Sequence, residues 1–149
     1  MNNQTVRRML GSGHAFGQAN QILANLEPEI ALKIPANAVH SIAGHVAHMA
    51  WWQRQMLLDI ELGKRQRQTT DEFPNTIALE AWEAVQKDFL DGLEQLKKCC
   101  DDPALLQQKY IHTSETIGEA LLDFALHNAY HLGQIVLLRR LQGAWSPQS

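Results

Sequence analysis

The chain contains little cysteine, and this scarcity excludes several classes of protein. Only two of its 149 residues are cysteine, and they are the neighbours Cys99 and Cys100. Neighbouring residues on a helix point in different directions, so we do not expect these two to form a disulfide. With no further cysteines, neither a disulfide framework nor a zinc site built on paired cysteines is possible. The chain must therefore be stabilised by its own core, for which its length suffices.

The chain also lacks an excess of positive charge and any long apolar run. Lys and Arg total 13 against 16 Asp and Glu, giving a formal net charge of −3. This balance provides no basic surface for nucleic acid. No apolar run approaches the roughly 20 residues that span a membrane, and the segment after Arg7 and Arg8 is too short for a secretion signal. We therefore expect one cytoplasmic domain, residues 1–149, with neither nucleic acid nor membrane as a partner.

Apolar residues recur at helical spacing in four segments, and no segment has the alternation of a confident strand. Ser41 is a suitable N-cap and Gly63 a suitable helix end, while Thr116 and Glu119 have the spacing of a capping box. The predicted helices cover residues 8–26, 41–63, 75–100 and 116–141. Residues 29–40, 66–75 and 104–114 are predicted connections, the last with room for a short helical piece. The pattern predicts an all-α fold, namely a four-helix bundle with long connections.

The most informative segment is 127–131, in which His127 and His131 are four residues apart. Histidines at this spacing project from the same side of a helix, about one turn apart, and can bind a single transition metal. The two rings share a stripe of mainly apolar residues, so we expect them to face the interior. This stripe consists of Ala120, Phe124, His127, His131, Gln134 and Leu138.

A third ligand would come from the second predicted helix, which contains His45 and His48. On a helical wheel centred on Met49, His45 lies about 40° from the apolar stripe and His48 about 100°. Periodicity therefore slightly favours His45 and leaves both residues open.

Motifs for other metal and nucleotide sites are missing from the sequence. It contains no His-Glu-x-x-His of zinc proteases and no Glu-x-x-His of di-iron bundles. It also contains no glycine-rich phosphate loop, so a nucleotide cofactor is not expected.

Two motifs resemble the DinB/YfiT-like family of metalloenzymes. The first is SIAGHVAH at 41–48, followed by WWQ at 51–53. The second, closer to the family pattern, is HNAYHLGQIVLLRR at 127–140, followed by Gly143 and Trp145. The opening segment 10–16 also resembles the start of one branch, so the likeness extends over essentially the whole chain.

The resemblance implies a DinB-type four-helix bundle that forms a homodimer and holds one divalent metal. Carried over by position, the ligands are His48, His127 and His131, because the serine-to-histidine spacing of the first motif matches at His48. Zinc or nickel is the metal expected first, and iron and manganese also accept imidazole ligands.

The function implied is that of a metal-dependent enzyme, a thiol S-transferase or a hydrolase. Its three-histidine centre would activate a thiol or a water for transfer to, or hydrolysis of, a small electrophilic substrate, with a low-molecular-weight thiol as cosubstrate. The alternative is a non-catalytic, stress-related dimeric bundle whose metal site is structural or vestigial.

No catalytic residue is assigned, because the sequence does not identify a general base. Asp123, one turn before His127, could accept a hydrogen bond from an imidazole N–H or could be a solvated surface carboxylate, and Glu80 and Glu83 could approach the open coordination position. The remaining histidines, His14, His40 and His112, are expected to be hydrogen-bonded core residues. The tryptophans at 51, 52 and 82 are expected in the core or at a dimer face, and Tyr130 is expected to point away from the two histidines that flank it.

Overall fold

The computed structural model describes residues 3–11, 17–111 and 113–145, and within these ranges the chain is helical and has no β-strand. The all-α prediction is therefore confirmed. No helix in these ranges combines the length and the apolar character needed to cross a bilayer. The helices are α1 (Asn3–Leu10), α2 (Ala19–Leu23), α3 (Pro28–Leu32), α4 (Ile42–Leu62), α5 (Trp82–Cys99), α6 (Pro103–Gln107) and α7 (Ile117–Leu141), and a 3₁₀ turn, Leu79–Ala81, precedes α5.

The buried core draws residues from all seven helices. Helix α4 packs against both α5 and α7, and α1 also packs against both α5 and α7. The short helices α2, α3 and α6 cover the ends and sides of this arrangement. The largest fully buried apolar side chains come from several elements and include Trp82, Phe89, Ile22, Met49, Leu96, Leu121 and Ile135.

The predicted ends of α4 and α7 are confirmed by their capping contacts. The Ser41 hydroxyl accepts a hydrogen bond from the Gly44 N–H at 3.0 Å, and Gly63 ends α4 in the left-handed conformation with φ 62°. At the start of α7, the Glu119 N–H donates to Thr116 Oγ1 at 3.2 Å, and the Thr116 N–H donates to Glu119 Oε2 at 2.7 Å. These caps satisfy N–H groups that the first helical turn leaves without partners.

The predicted first helix, residues 8–26, is wrong as a continuous element. Helix α1 begins at Asn3 and ends at Leu10, Gly17 and Gln18 are not helical, and α2 spans only Ala19–Leu23. Glycine weakens helices, and Gly11 and Gly17 lie where helical structure stops or has not begun. The chain also leaves the helical conformation before residue 26, because Asn25 has φ 52°.

Two further boundaries differ from the prediction. The connection 29–40 was expected to lack a helix, but α3 begins at Pro28, a residue favoured at the first helical position because it has no N–H to satisfy. The third helix was expected from residue 75 or 76, yet the 3₁₀ turn begins at Leu79 and α5 at Trp82. In the loop before this turn, the Phe73 ring stacks on the rings of His40 and His48, with centroid distances of 3.7 and 4.3 Å, and this stacking holds the loop against α4.

The loop between α4 and α5 is fastened along α4 by side-chain hydrogen bonds. The Trp51 indole N–H donates to the Thr70 carbonyl at 3.1 Å, and the Gln68 amide donates to the Trp51 carbonyl at 2.7 Å. Further along, the Gln55 amide donates to the Gln66 carbonyl at 3.0 Å. These hydrogen bonds fix the path of the loop along α4. The end of the loop, at Phe73, lies against the N-terminal half of α4.

A buried carboxylate, Asp59, anchors the other end of this loop. Asp59 is completely buried and accepts hydrogen bonds from the Gln55 amide at 2.7 Å and the Tyr110 hydroxyl at 2.9 Å. Arg65 Nε forms an ion pair with the same carboxylate at 3.0 Å. Burial, followed by the hydrogen bond to Asp59, raises the pKa of Tyr110 to about 12, so the phenol stays protonated and donates.

Candidate metal centre

Three histidine side chains from α4 and α7 converge in the structure. Nε2 of His127 lies 3.1 Å from Nε2 of His48 and 3.1 Å from Nε2 of His131. One ring nitrogen from each residue falls within 4.8 Å of the other two, so the group could hold a metal ion. Zinc bound tetrahedrally at about 2.0–2.1 Å requires ligand nitrogens roughly 3.3–3.4 Å apart. The two distances from Nε2 of His127 therefore differ from those of a zinc site by only a few tenths of an ångström.

His48 is oriented by the main chain of the loop. Its Nδ1 lies 3.0 Å from the Glu72 carbonyl oxygen. A carbonyl can only accept a hydrogen bond, so the ring proton resides on Nδ1 and the lone pair of Nε2 points into the cluster. A neutral imidazole held by such a hydrogen bond is the form in which histidine binds a metal.

His45, the other candidate on α4, lies beside the cluster and contacts one of its members. Its Nδ1 is 2.9 Å from Nδ1 of His131, and both rings are more than nine-tenths buried. The group of three therefore contains His48, as the family resemblance implies, while His45 contacts the far side of the His131 ring. If His131 directs the lone pair of Nε2 into the cluster, its Nδ1–H donates to His45.

Burial keeps the clustered rings neutral. The pKa of His127 is lowered to about 4 and that of His131 to about 3, in both cases chiefly because burial disfavours the charged ring and then because neighbouring histidines repel it. The pKa of His45 is lowered to about 4 for the same reasons, and burial also lowers that of His48. At neutral pH all four rings are therefore uncharged, and each has one unprotonated nitrogen that could bind a metal.

We expect the metal-free chain, prepared with a chelator, to lose stability as the pH falls from 6.5 towards about 4. The folded pKa values lie below the ordinary value of 6.5, so the unfolded chain binds more protons over this interval and unfolding becomes more favourable. Thermal unfolding measured at a series of pH values would test this. The variant His127→Gln lacks one of these groups and should show a shallower decline, so identical pH profiles for the two proteins would contradict the prediction.

Aromatic rings enclose the cluster on the loop side. Phe73 stacks on His48, and Trp52 lies edge-on to His127 with ring centroids 6.5 Å apart. Trp51 and Trp82 are buried, as expected, whereas Trp52 is half-buried and lines a cavity beside the site. Trp52 is therefore available to contact a bound molecule.

Glu72 is an acidic residue beside the cluster that was not identified from the sequence. Its carboxylate accepts a hydrogen bond from the Trp52 indole at 3.0 Å, and its negative charge opposes the lowering of the pKa of both His48 and His127. By contrast, Glu80 and Glu83 are exposed on the surface. No periodic pattern could have identified Glu72, because it lies in a loop whose path depends on tertiary contacts.

A cavity of about 310 Å³ adjoins the site on the His127 side. Its apolar wall includes Trp52, Met56 and Phe124, and its polar rim includes Arg65 and Asp123. The volume is at the lower end of the range for small-molecule pockets. A small molecule placed there would contact His127 directly.

The remaining histidines and the two cysteines are not part of the three-histidine cluster. His40 is half-buried and stacks on Phe73, and its Nδ1 has no hydrogen-bond partner among the described residues, so the expectation of a hydrogen-bonded core residue is wrong for His40. His14 and His112 lie outside the described residues, as does most of the opening segment 10–16. Cys99 and Cys100 are both free, as predicted from their adjacency.

Replacing His45 with leucine should weaken metal binding about 10- to 100-fold, the usual effect of removing a residue that orients a ligand. Leucine offers no acceptor to the His131 Nδ1–H, whereas the amide oxygen of His45→Asn could still accept this bond. Metal affinity measured by competition with a chromophoric chelator should therefore rank the wild type first, the asparagine variant second and the leucine variant last. Equal affinity in all three proteins would mean that His45 does not orient His131.

Fold and site together define an all-helical protein with a three-histidine cluster between its two longest helices. A family model described as the DinB superfamily matches residues 15–135. The chain therefore belongs to the DinB superfamily, as its two motifs predicted. The comparison with curated proteins and the comparison with solved structures each gave no match.

Proposed function

We propose that this protein is a metal-dependent enzyme with one divalent transition metal held by His48, His127 and His131. The observation that carries the proposal is the approach of Nε2 of His127 to within 3.1 Å of Nε2 of both other rings. Zinc or nickel is proposed first, because neutral imidazole suits both. Three protein ligands leave a position open, which is typical of catalytic rather than structural sites.

The proposed activity is activation of a thiol or a water towards a small electrophile, giving S-transfer or hydrolysis. When bound, the ion supplies Lewis-acid chemistry, which lowers the pKa of a thiol or water at the open position. The Glu72 carbonyl and His45 hold the tautomers that direct two Nε2 lone pairs inward. Trp52, Met56 and Phe124 form an apolar wall that excludes water from one side of the cavity beside His127.

Several finer features are proposed on the strength of the sequence. The contacts of α4 with α5 and α7, and of α1 with the same two helices, support the proposed DinB-type four-helix bundle. The single domain over residues 1–149, the homodimer and the cytoplasmic location remain predictions from the sequence.

Cobalt substitution tests the proposed function. Cobalt(II) at an open three-histidine site should give a visible absorption spectrum that changes when a low-molecular-weight thiol is added. The variant His48→Ala, treated identically, should show neither the spectrum nor the change. A spectrum that forms but stays the same with every thiol and small anion would overturn the enzyme proposal and favour the non-catalytic bundle. Failure of the wild type to bind cobalt, zinc or nickel would overturn the metal site itself.

A further inference from the structure

The outward-facing side of α7 is apolar although nothing in the described chain covers it. The exposed fraction is 70% for Leu126, 64% for Tyr130, 50% for Leu137 and 63% for Leu141. Gly133 lies among them, and a side chain built there would meet no atom within 4 Å. We call these five residues the α7 outer stripe. At about 100° per residue, all five lie within an arc of roughly 80° on one face of the helix.

Helix α5 shows that this stripe is unusual within the same protein. Every residue of α5 is described, and its exposed positions hold no large apolar side chain. They are Glu83, Ala84, Lys87, Asp88, Asp91, Glu94, Gln95 and Lys98. Helix α7 is thus apolar on its inner and its outer face, which is typical of a helix covered on both sides. Contiguous exposed apolar residues of this kind mark interaction sites.

The spacing of the residues in the α7 outer stripe indicates that its partner is a second copy of this chain. Leu126 and Leu141 are equally distant from a point midway between residues 133 and 134, and so are Tyr130 and Leu137. A two-fold axis through this point would pair two copies of α7 antiparallel. It would set each Leu126 against Leu141 of the other copy, and each Tyr130 against Leu137. Gly133, at the centre, would allow the two backbones to approach closely.

The charges at the two ends of the stripe complement each other in the same arrangement. Asp123 and Glu119 extend the exposed face beyond Leu126, while the exposed Arg140 lies beside Leu141. In the antiparallel pair, Asp123 of one copy lies about 6 Å along the helix axis from Arg140 of the other, which the long arginine side chain can bridge. A parallel pair would instead set Asp123 against Asp123 and Arg140 against Arg140, which like-charge repulsion disfavours.

We infer that the α7 outer stripe is the surface through which two copies of this chain pair, with their α7 helices antiparallel about Gly133. The inference goes beyond the proposed function, because it requires neither the metal nor catalysis. It adds a surface and a register to the homodimer predicted from the sequence. It also puts Arg140 of the second copy near Asp123, at the rim of the cavity beside His127.

Sedimentation of the full chain tests the surface. The wild type should sediment as a dimer at micromolar concentration, and Leu137→Glu or Tyr130→Glu should raise the dimer dissociation constant about 100-fold or more by placing a charge in the apolar contact. Val39→Glu is the matched control, since Val39 is 77% exposed and lies outside the stripe, and it should remain a dimer. A wild-type monomer, or a dimer unaffected by both stripe variants, would overturn the inference. Unchanged metal content in Leu137→Glu would separate this result from the proposed function, whereas Tyr130→Glu is not used for this comparison because the Tyr130 ring contacts His131.

Cysteine crosslinking in a Cys99→Ser background tests the register. Gly133→Cys lies at the proposed axis and should form a disulfide with its counterpart under mild oxidation. Leu126→Cys should not, because in an antiparallel pair the two copies of residue 126 are about 22 Å apart along the helices. Crosslinking at both positions would indicate a parallel pair, and crosslinking at neither would indicate another surface. Either result would overturn the antiparallel register.

Discussion

Replacing His131 with alanine should remove most of the bound metal and leave the helical fold intact. The His131 ring contacts both His127, at 3.1 Å, and His45, at 2.9 Å, so its loss removes one proposed ligand and the contact that orients it. Removing an orienting residue alone costs about 10- to 100-fold in affinity, so loss of a ligand should cost more than about 100-fold. Metal content by mass spectrometry on protein purified without a histidine tag, with circular dichroism for helix content, would measure both effects.

The matched control is His40→Ala, which removes a nearby ring without removing a member of the cluster. His40 stacks on Phe73 and makes only an edge contact with His45, so its variant should keep its metal. His48→Ala should lose metal as His131→Ala does. If His40→Ala lost as much metal as these variants, or if His48→Ala kept it, the proposed ligand set would be wrong.

Replacing Asp59 with alanine should destabilise the fold by about 3 kcal/mol. The substitution removes the acceptor of the Gln55 amide and of the Tyr110 hydroxyl in a buried environment, where an unsatisfied polar group costs about 1–3 kcal/mol. Loss of the ion pair with Arg65 contributes less to the destabilisation, because the Arg65 side chain is 44% exposed and can turn to solvent. The free energy of unfolding from urea titration would give the value directly.

Asp88→Ala provides the comparison for Asp59. Asp88 pairs with Arg54 on the surface, with both side chains more than two-fifths exposed, and such pairs contribute about 0–1 kcal/mol. The two variants remove the same chemical group, so the difference between them measures the effect of burial. Equal destabilisation by the two substitutions would contradict the role given to Asp59.

The parts of the fold that follow local rules could be predicted from the sequence. The Ser41 cap, the Gly63 helix end and the Thr116–Glu119 capping box depend on contacts within four residues, and all three are present. The interior placement of the His127 and His131 stripe also followed from helical spacing alone. Tyr130, between those two histidines, is exposed as this spacing predicts, but its ring also makes an edge contact with the His131 ring, with centroids 5.1 Å apart.

The parts that depend on distant contacts could not be predicted in this way. The loop before α5 is an example, because Phe73 stacks on His40 and His48, which are distant in the sequence. Periodicity also left His45 and His48 open, because both rings are buried and each contacts a different histidine of α7. The family motif indicated His48. The structure places His45 outside the group of three, in contact with Nδ1 of His131.

The hydrogen bond from His48 to the Glu72 carbonyl has a consequence for sequence variation. The acceptor belongs to the main chain, so substituting residue 72 leaves that acceptor in place, although it removes the side-chain bond to Trp52 and the negative charge near His48 and His127. Insertion or deletion of a single residue between Gly63 and Phe73 would instead displace the carbonyl from the ring. Sequence variation should therefore be tolerated at position 72 more readily than any change in the length of this loop.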